Sequence, residues 1–258
     1  MVRIGLVQLA VNGADDVDVR IDHALTITRE ATENADLVVL PELWPSGAFD
    51  LRLGVAKAES IDGPLVNRLS ELAATTNTWI HGGSFVELAD DDMYNTSVLF
   101  DPSGSLVASY RKVHLFGFDG LEAATLSGGD DLVVVDTPLG PTGLATCYDL
   151  RFPELFRGLV DRGATAVLLT SGWPQARIGH WQVLAQARAI ENQCWVAGCN
   201  ETGTHAGVEL GGSSAVVDPW GTVIATAASE EAVVFADIDP NLPETVRDGF
   251  PVLRDRKL

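Results

Sequence analysis

Three short segments carry side chains that could cooperate in covalent acyl transfer. They are PELWPSG at 41–47, YRKVHLF at 110–116 and TCYDLRFPE at 146–154. They offer one carboxylate (Glu42), one ammonium (Lys112) and one thiol (Cys147). A thiol becomes a strong nucleophile once a neighbouring base takes its proton. A carboxylate at the end of an apolar run is partly desolvated, so it holds a proton more readily. An ammonium beside a reacting carbonyl stabilises the oxyanion that develops there. Read singly, each residue has a plainer alternative: a buried structural cysteine, a helix N-cap or surface glutamate, a strand-end surface lysine.

The elements that must position these groups follow from periodicity and turn chemistry. Apolar runs predict strands over 3–9, 36–40, 78–88, 94–101, 106–113, 132–137, 143–146, 166–170, 195–200, 213–218 and 232–237. Helical spacing predicts helices over 17–34, 64–76, 152–162 and 179–193, with Pro64 at a start and Gly163 at a stop. DPSG at 101–104 and DPWG at 218–221 read as hairpin turns. Glu42 and Cys147 therefore sit where strands end, and Lys112 closes another. At Cys147 a strand meets a helix, whose N-terminal partial charge would favour the thiolate. Sheets covered by helices make an α/β sandwich. The absence of any linker-like stretch favours one domain over 1–258. The segment 238–256 has no strong period and either packs on its own domain or reaches a partner subunit.

Composition limits the class. The chain has 258 residues, 46% of them hydrophobic, and a net charge of −19. So acidic a surface argues against nucleic-acid and anionic-membrane partners. No apolar run is long enough for a membrane span, and the N-terminus reads directly as a strand, so a cytoplasmic protein is expected. Three cysteines suit a reducing compartment better than a disulfide framework. Cys194 and Cys199 are five residues apart in a strand-like run, which places them on opposite faces as small buried hydrophobes. The five histidines show no ligand spacing, and no metal or cofactor motif is present. His114 is read as a structural hydrogen-bonder, not as half of a Cys–His dyad.

The three segments, in this order, resemble the Glu-Lys-Cys catalytic set of the nitrilase superfamily, the carbon-nitrogen hydrolases. Further stretches are similar to that family over nearly the whole chain: EAATLSGGD at 122–130, HW through ARAIENQ at 180–193, CNETG at 199–203, and GSS through DPWG at 212–221. One departure is Glu201, where many relatives have arginine in an Asn-Arg-x-Gly motif. The resemblance implies a four-layer αββα sandwich, usually dimerised through its helical faces, and metal-free, cofactor-free hydrolysis of a carbon–nitrogen bond. It implies that Cys147 is the nucleophile, Glu42 the base, Lys112 and the Tyr148 backbone N–H the oxyanion donors, and Glu122 a second glutamate orienting Lys112 or the substrate.

The segment TSGWPQAR at 170–177 should lie near the nucleophile. There Trp173 would wall the pocket or belong to the core, and Arg177 would bind a substrate carboxylate or sit on the surface. Phe116, Phe118 and Tyr148 are further candidates for the wall, with core packing the alternative for the two phenylalanines. Within the superfamily the pattern is most similar to omega-amidases, which deamidate 2-oxo dicarboxylate monoamides such as 2-oxoglutaramate. The alternatives are a deaminated-glutathione amidase, an N-carbamoyl amidohydrolase, acyl transfer to an amine, and a non-catalytic binding protein on the same fold.

Overall fold

The computed structural model describes residues 1–13, 16–117 and 122–257. The first half contains β1 (Val2–Gln8), α1 (Val17–Thr32), β2 (Leu37–Val39), α2 (Leu51–Ala56), α3 (Pro64–Thr76), β3 (Trp79–Ala89), β4 (Asp92–Phe100), β5 (Leu106–Arg111) and the single turn α4 (Glu122–Thr125). The second half runs β6 (Val134–Thr137), β7 (Gly140–Thr146), a 3-10 turn (Cys147–Arg151), α5 (Pro153–Asp161), β8 (Ala166–Ser171), a second 3-10 turn (Gln175–Arg177), α6 (Ile178–Asn192) and β9 (Trp195–Asn200). A hairpin of β10 (Thr202–His205) and β11 (Val208–Gly211) follows, then β12 (Ala215–Val217), β13 (Val223–Thr226), β14 (Ala232–Ile238), α7 (Leu242–Gly249) and α8 (Val252–Asp255).

Two six-stranded sheets form, in the orders β14-β1-β2-β3-β4-β5 and β13-β12-β9-β8-β7-β6. In each, three central strands are parallel, and helices make the crossovers that parallel neighbours need. Strands β2 and β8 are buried at every residue, because both of their faces are covered. One core packs α1 and α3 on the outer face of the first sheet, through Ala24, Leu69 and Ile80. A second joins the two sheets, through Ile4, Leu6, Leu144 and Leu168. A third packs α5 and α6 on the second sheet, through Phe156, Trp181 and Val167. The layers are thus helix, sheet, sheet, helix. Cys199 joins the core between the sheets and Cys194 the helical one, on opposite faces as alternation requires.

Local chemistry explains most element ends. Pro64 occupies the first turn of α3, and Asn77 ends it in the left-handed conformation (φ 52°). The Asp101 carboxylate accepts the Ser103 and Ser105 N–H groups in the β4–β5 turn, and Asp218 does the same for Trp220 and Thr222 between β12 and β13. Differences from the sequence expectations concern short pieces. Helix α1 stops at Thr32, and α6 begins at Ile178. The elements α2, α4, α7, α8, β13 and the β10–β11 hairpin are not among those expected, being too short to show a period. The C-terminal segment packs on its own chain: Val246 is buried, and Arg247 donates to the Ala164, Asn192 and Gln193 carbonyls.

Candidate active site

Lys112 is the first residue after β5, and its backbone N–H still donates to Asn95 O on β4. That register aims the side chain inward. Its Nζ donates to Glu42 Oε1 at 2.7 Å and to Glu122 Oε2 at 2.6 Å. The Asn95 amide bridges the same carboxylates, at 2.9 Å and 2.6 Å. Lys112, Glu42 and Glu122 are 1%, 2% and 3% exposed, so water scarcely competes for these contacts. Glu122 also accepts the Phe116 N–H at 2.8 Å, and Glu42 Oε2 accepts the Gly172 N–H at 2.9 Å from the end of β8. Glu42 thereby ties the first sheet to the second. Burial alone would push the ammonium of Lys112 down, but the Glu122 and Glu42 carboxylates overcome this and hold it well above the ordinary lysine range. Burial pushes the Glu122 carboxyl up, against the pull of Lys112.

Cys147 follows β7 directly, at the start of the first 3-10 turn, with φ 45°. For a residue with a Cβ this left-handed conformation costs about 1–2 kcal/mol, so the surrounding structure must hold it. Asp149 is the holder. Its carboxylate accepts the Thr146 N–H, the Tyr110 hydroxyl, the His114 N–H and a contact from the His114 ring, all within 3.0 Å. The expectation of a thiolate favoured by a helix N-terminus is corrected here. Helix α5 starts only at Pro153, beyond the 3-10 turn, and burial, with Glu42 adding to it, pushes the thiol well above its usual range despite Lys112. Cys147 therefore rests as a protonated thiol beside a carboxylate. His114 is turned to Asp149 and stacks on Phe152 at 3.7 Å, which is a structural role.

The pocket in front of Cys147 is lined by Glu42, Lys112 and Glu122 on one side and by Phe116, Tyr148, Trp173 and Arg177 on another. Every predicted site residue thus meets there, except Phe118, which lies outside the described residues. Trp173 is both core and wall: it is 1% exposed and packs on Trp181, and its indole N–H donates to Arg177 O at 2.9 Å. Arg177 stands over the Phe116 ring, 5.7 Å from its centroid. Phe116 in turn touches Phe49 and Tyr148 edge-on.

Sequence reasoning missed several of the residues here. Asn95 is a polar residue on a buried stretch of β4, and an amide at such a position was the available signal. Arg151 lines the pocket with its guanidinium 4.6 Å from the Trp173 ring, and burial and then the charge of Arg177 push its pKa down. Two cations therefore face the mouth of a pocket whose floor is acidic. Ala48, Phe49, Gly172 and Pro174 complete the wall.

The sequence profile of the family described as carbon-nitrogen hydrolase matches residues 3–248. The chain is 42% identical to a 2-oxoglutaramate amidase of Paenarthrobacter nicotinovorans, over 98% of this chain and 89% of that protein. It is 37% identical to a deaminated glutathione amidase of Dictyostelium discoideum, over 99% of this chain and 94% of that protein. Among solved structures, Nit3 of Saccharomyces cerevisiae, a member of branch 10 of the nitrilase superfamily, superposes with a TM-score of 0.90 at 32% identity, covering 100% of this chain and 97% of that one.

Proposed function

As the chain belongs to the carbon-nitrogen hydrolase family, we propose that Glu42, Lys112 and Cys147 carry out amide hydrolysis through a thioester. The protein is a hydrolase of carbon–nitrogen bonds other than peptide bonds. The observation that carries the residue roles is the buried ammonium of Lys112 bridging two carboxylates in the pocket that Cys147 enters.

The thiol proton of Cys147 passes to Glu42 as Sγ bonds to the amide carbon. The carbonyl electrons move to oxygen, and Lys112 Nζ and the Tyr148 N–H stabilise the resulting oxyanion. Collapse expels ammonia, which takes its proton from Glu42, and leaves a thioester on Sγ. Glu42 then accepts a proton from water as the water adds to the thioester carbon. The second collapse releases the carboxylic acid and returns the proton to Sγ. Glu122 has no part in these transfers; with Asn95 it fixes where the ammonium points.

The substrate is a monoamide with an anionic far end, a 2-oxo dicarboxylate monoamide such as 2-oxoglutaramate. The support is the pair Arg151 and Arg177 at the pocket mouth and the similarity to an amidase of that name. Guanidinium groups match a carboxylate in charge and in planar geometry. A second reading, deaminated glutathione, has the support of the relative named for that activity; N-carbamoyl amino acids are the third arm. Ammonia release over these compounds and simple aliphatic amides, with wild type and Cys147→Ala, tests the reading. Cys147-dependent release from 2-oxoglutaramate alone supports it. Release that survives Cys147→Ala sinks the mechanism. No release at all means that the pocket takes a substrate outside this panel, and hydroxamate formation with added hydroxylamine marks acyl transfer.

The protein works in the cytoplasm, where its three free cysteines stay reduced. It pairs with a second copy through the exposed apolar residues Val183, Ile190, Trp220 and Phe250. Light scattering on wild type and Trp220→Asp tests the pairing.

A further inference from the structure

Glu201 directly follows β9 and is wholly buried. Its backbone is pinned on both sides: the N–H donates to Ser171 O at 3.0 Å, and the carbonyl accepts the Gly212 N–H at 2.9 Å. The side chain lies behind the catalytic pocket, across Gly172 from Glu42. A Cβ on Gly172 would collide with Ala48 Cβ and stand 3.0 Å from Glu201 Oε2 and 3.6 Å from Glu42 Oε2, so both carboxylates reach the space beside this glycine, which Ala48 fills. Gly172 donates its N–H to Glu42. His205, itself buried on β10, holds Glu201 Oε2 at 3.3 Å and packs beneath Gly47 in the loop that follows Glu42. Among the described residues, His205 Nδ1 has no hydrogen-bond partner, while the Ala48 N–H also faces the Glu201 carboxylate.

Both sheets aim charge at Glu42. The first contributes the Lys112 ammonium, the Asn95 amide and, beyond them, Glu122; the second contributes the Cys147 thiol, the Gly172 N–H and Glu201, and His205 stands behind Glu201 on the β10–β11 hairpin. Burial, offset by His205 and reinforced by the charge of Glu42, pushes the Glu201 carboxyl up.

We propose that Glu201, anchored by His205, is a positioning residue for the base: its buried charge makes Glu42 take the Cys147 proton more readily. The inference rests on the reading of Glu42 as that base. It moves no atom beyond the sulfur-to-carboxylate proton transfer already described. It gives the departure at 201 a consequence, because an arginine there would act on Glu42 in the opposite sense.

The test compares wild type, Glu201→Gln, Glu201→Asp and His205→Leu. Two quantities are followed against pH: kcat/KM for 2-oxoglutaramate, and the rate of Cys147 alkylation by iodoacetamide. A unit charge one short side chain away, partly offset by the imidazole, corresponds to about one pH unit. In Glu201→Gln the acidic limb of both profiles should move down by about that much. The plateau rate should fall several-fold, and KM should hold, because Glu201 does not line the pocket. Glu201→Asp should restore the wild-type limb. His205→Leu should act like Glu201→Gln, since a carboxyl without its partner becomes neutral. A folded Glu201→Gln whose profiles superimpose on wild type, or whose loss lies only in KM, overturns the inference. If Glu201→Gln does not fold, His205→Leu decides by the same shift; failure of both to fold makes the pair structural and also overturns it. The underlying reading fails separately, if Glu42→Gln keeps wild-type turnover and alkylation.

Discussion

Replacing Lys112 by Met removes the ammonium and keeps most of the volume of its stem. Nζ lies 2.7 Å from Glu42 Oε1 and 2.6 Å from Glu122 Oε2, and the variant leaves both carboxylates sharing the Asn95 amide. Breaking a buried ion pair by removing one partner costs about 3–5 kcal/mol, a large part of the roughly 5–15 kcal/mol that holds a domain folded. The cost should depend on pH. Burial has already raised the Glu122 carboxyl above 4.5, and losing the cation raises it further. A carboxyl raised in this way binds more protons folded than unfolded, so stability falls as pH climbs through the window above 4.5. The contribution of Lys112 itself is fully present below about pH 10 and does not vary in that window. Urea unfolding should therefore show the full loss at about pH 8 and at most half of it at about pH 5. Adding Glu122→Gln to Lys112→Met should recover about half of the loss at the higher pH. A loss below about 1 kcal/mol, or one equal at both pH values, would refute the claim that a buried ammonium neutralises this pair.

Other expectations follow from the same geometry. Cys147→Ala should fold normally, with unchanged circular dichroism, and release no ammonia. Arg177→Ala should raise KM for anionic amides on the order of tenfold, the worth of a charge-assisted hydrogen bond, and leave neutral amides unchanged in steady-state assays. His81 is fully buried, and burial lowers its pKa from 6.5 to about 4. The unfolded chain therefore binds the extra proton first, and about 3 kcal/mol of stability is lost between pH 6.5 and about 4. His81→Gln should flatten that slope by about one proton in unfolding curves across the window.

Much of the site was legible because its residues lie in contiguous segments. Cys147, Tyr148 and Arg151 share one segment, and Lys112 and Phe116 another, so chemistry and context could be read together. Arg151 was quoted in its segment and given no role. Its direction depends on the 3-10 turn after Cys147, which has no period of its own. Asn95 offered only the signal of an amide in a buried strand, since its importance comes from two carboxylates, one from the β2–α2 loop and one from α4. Glu201 was noticed as a departure, yet its distance from Glu42 exists only once β8 and β9 are paired. The helix-dipole argument for Cys147 failed because a sequence places the start of a helix along the chain but not the burial of the atom before it. The α1 and α3 layers were legible from periodicity, whereas α7, about two turns long, has too few residues to show one.

The first strand pairs with the last: β1 and β14 run antiparallel from Val2↔Ile238 to Gln8↔Ala232, and Val234, Ala236 and Ile238 belong to the core between the sheets. A chain emerging from the ribosome therefore holds Glu42, Lys112 and Cys147 long before it can close the core that sets them against one another. Activity appears only after residue 238 has cleared the exit tunnel. Until then the thiol lacks the burial that raises its pKa in the finished pocket.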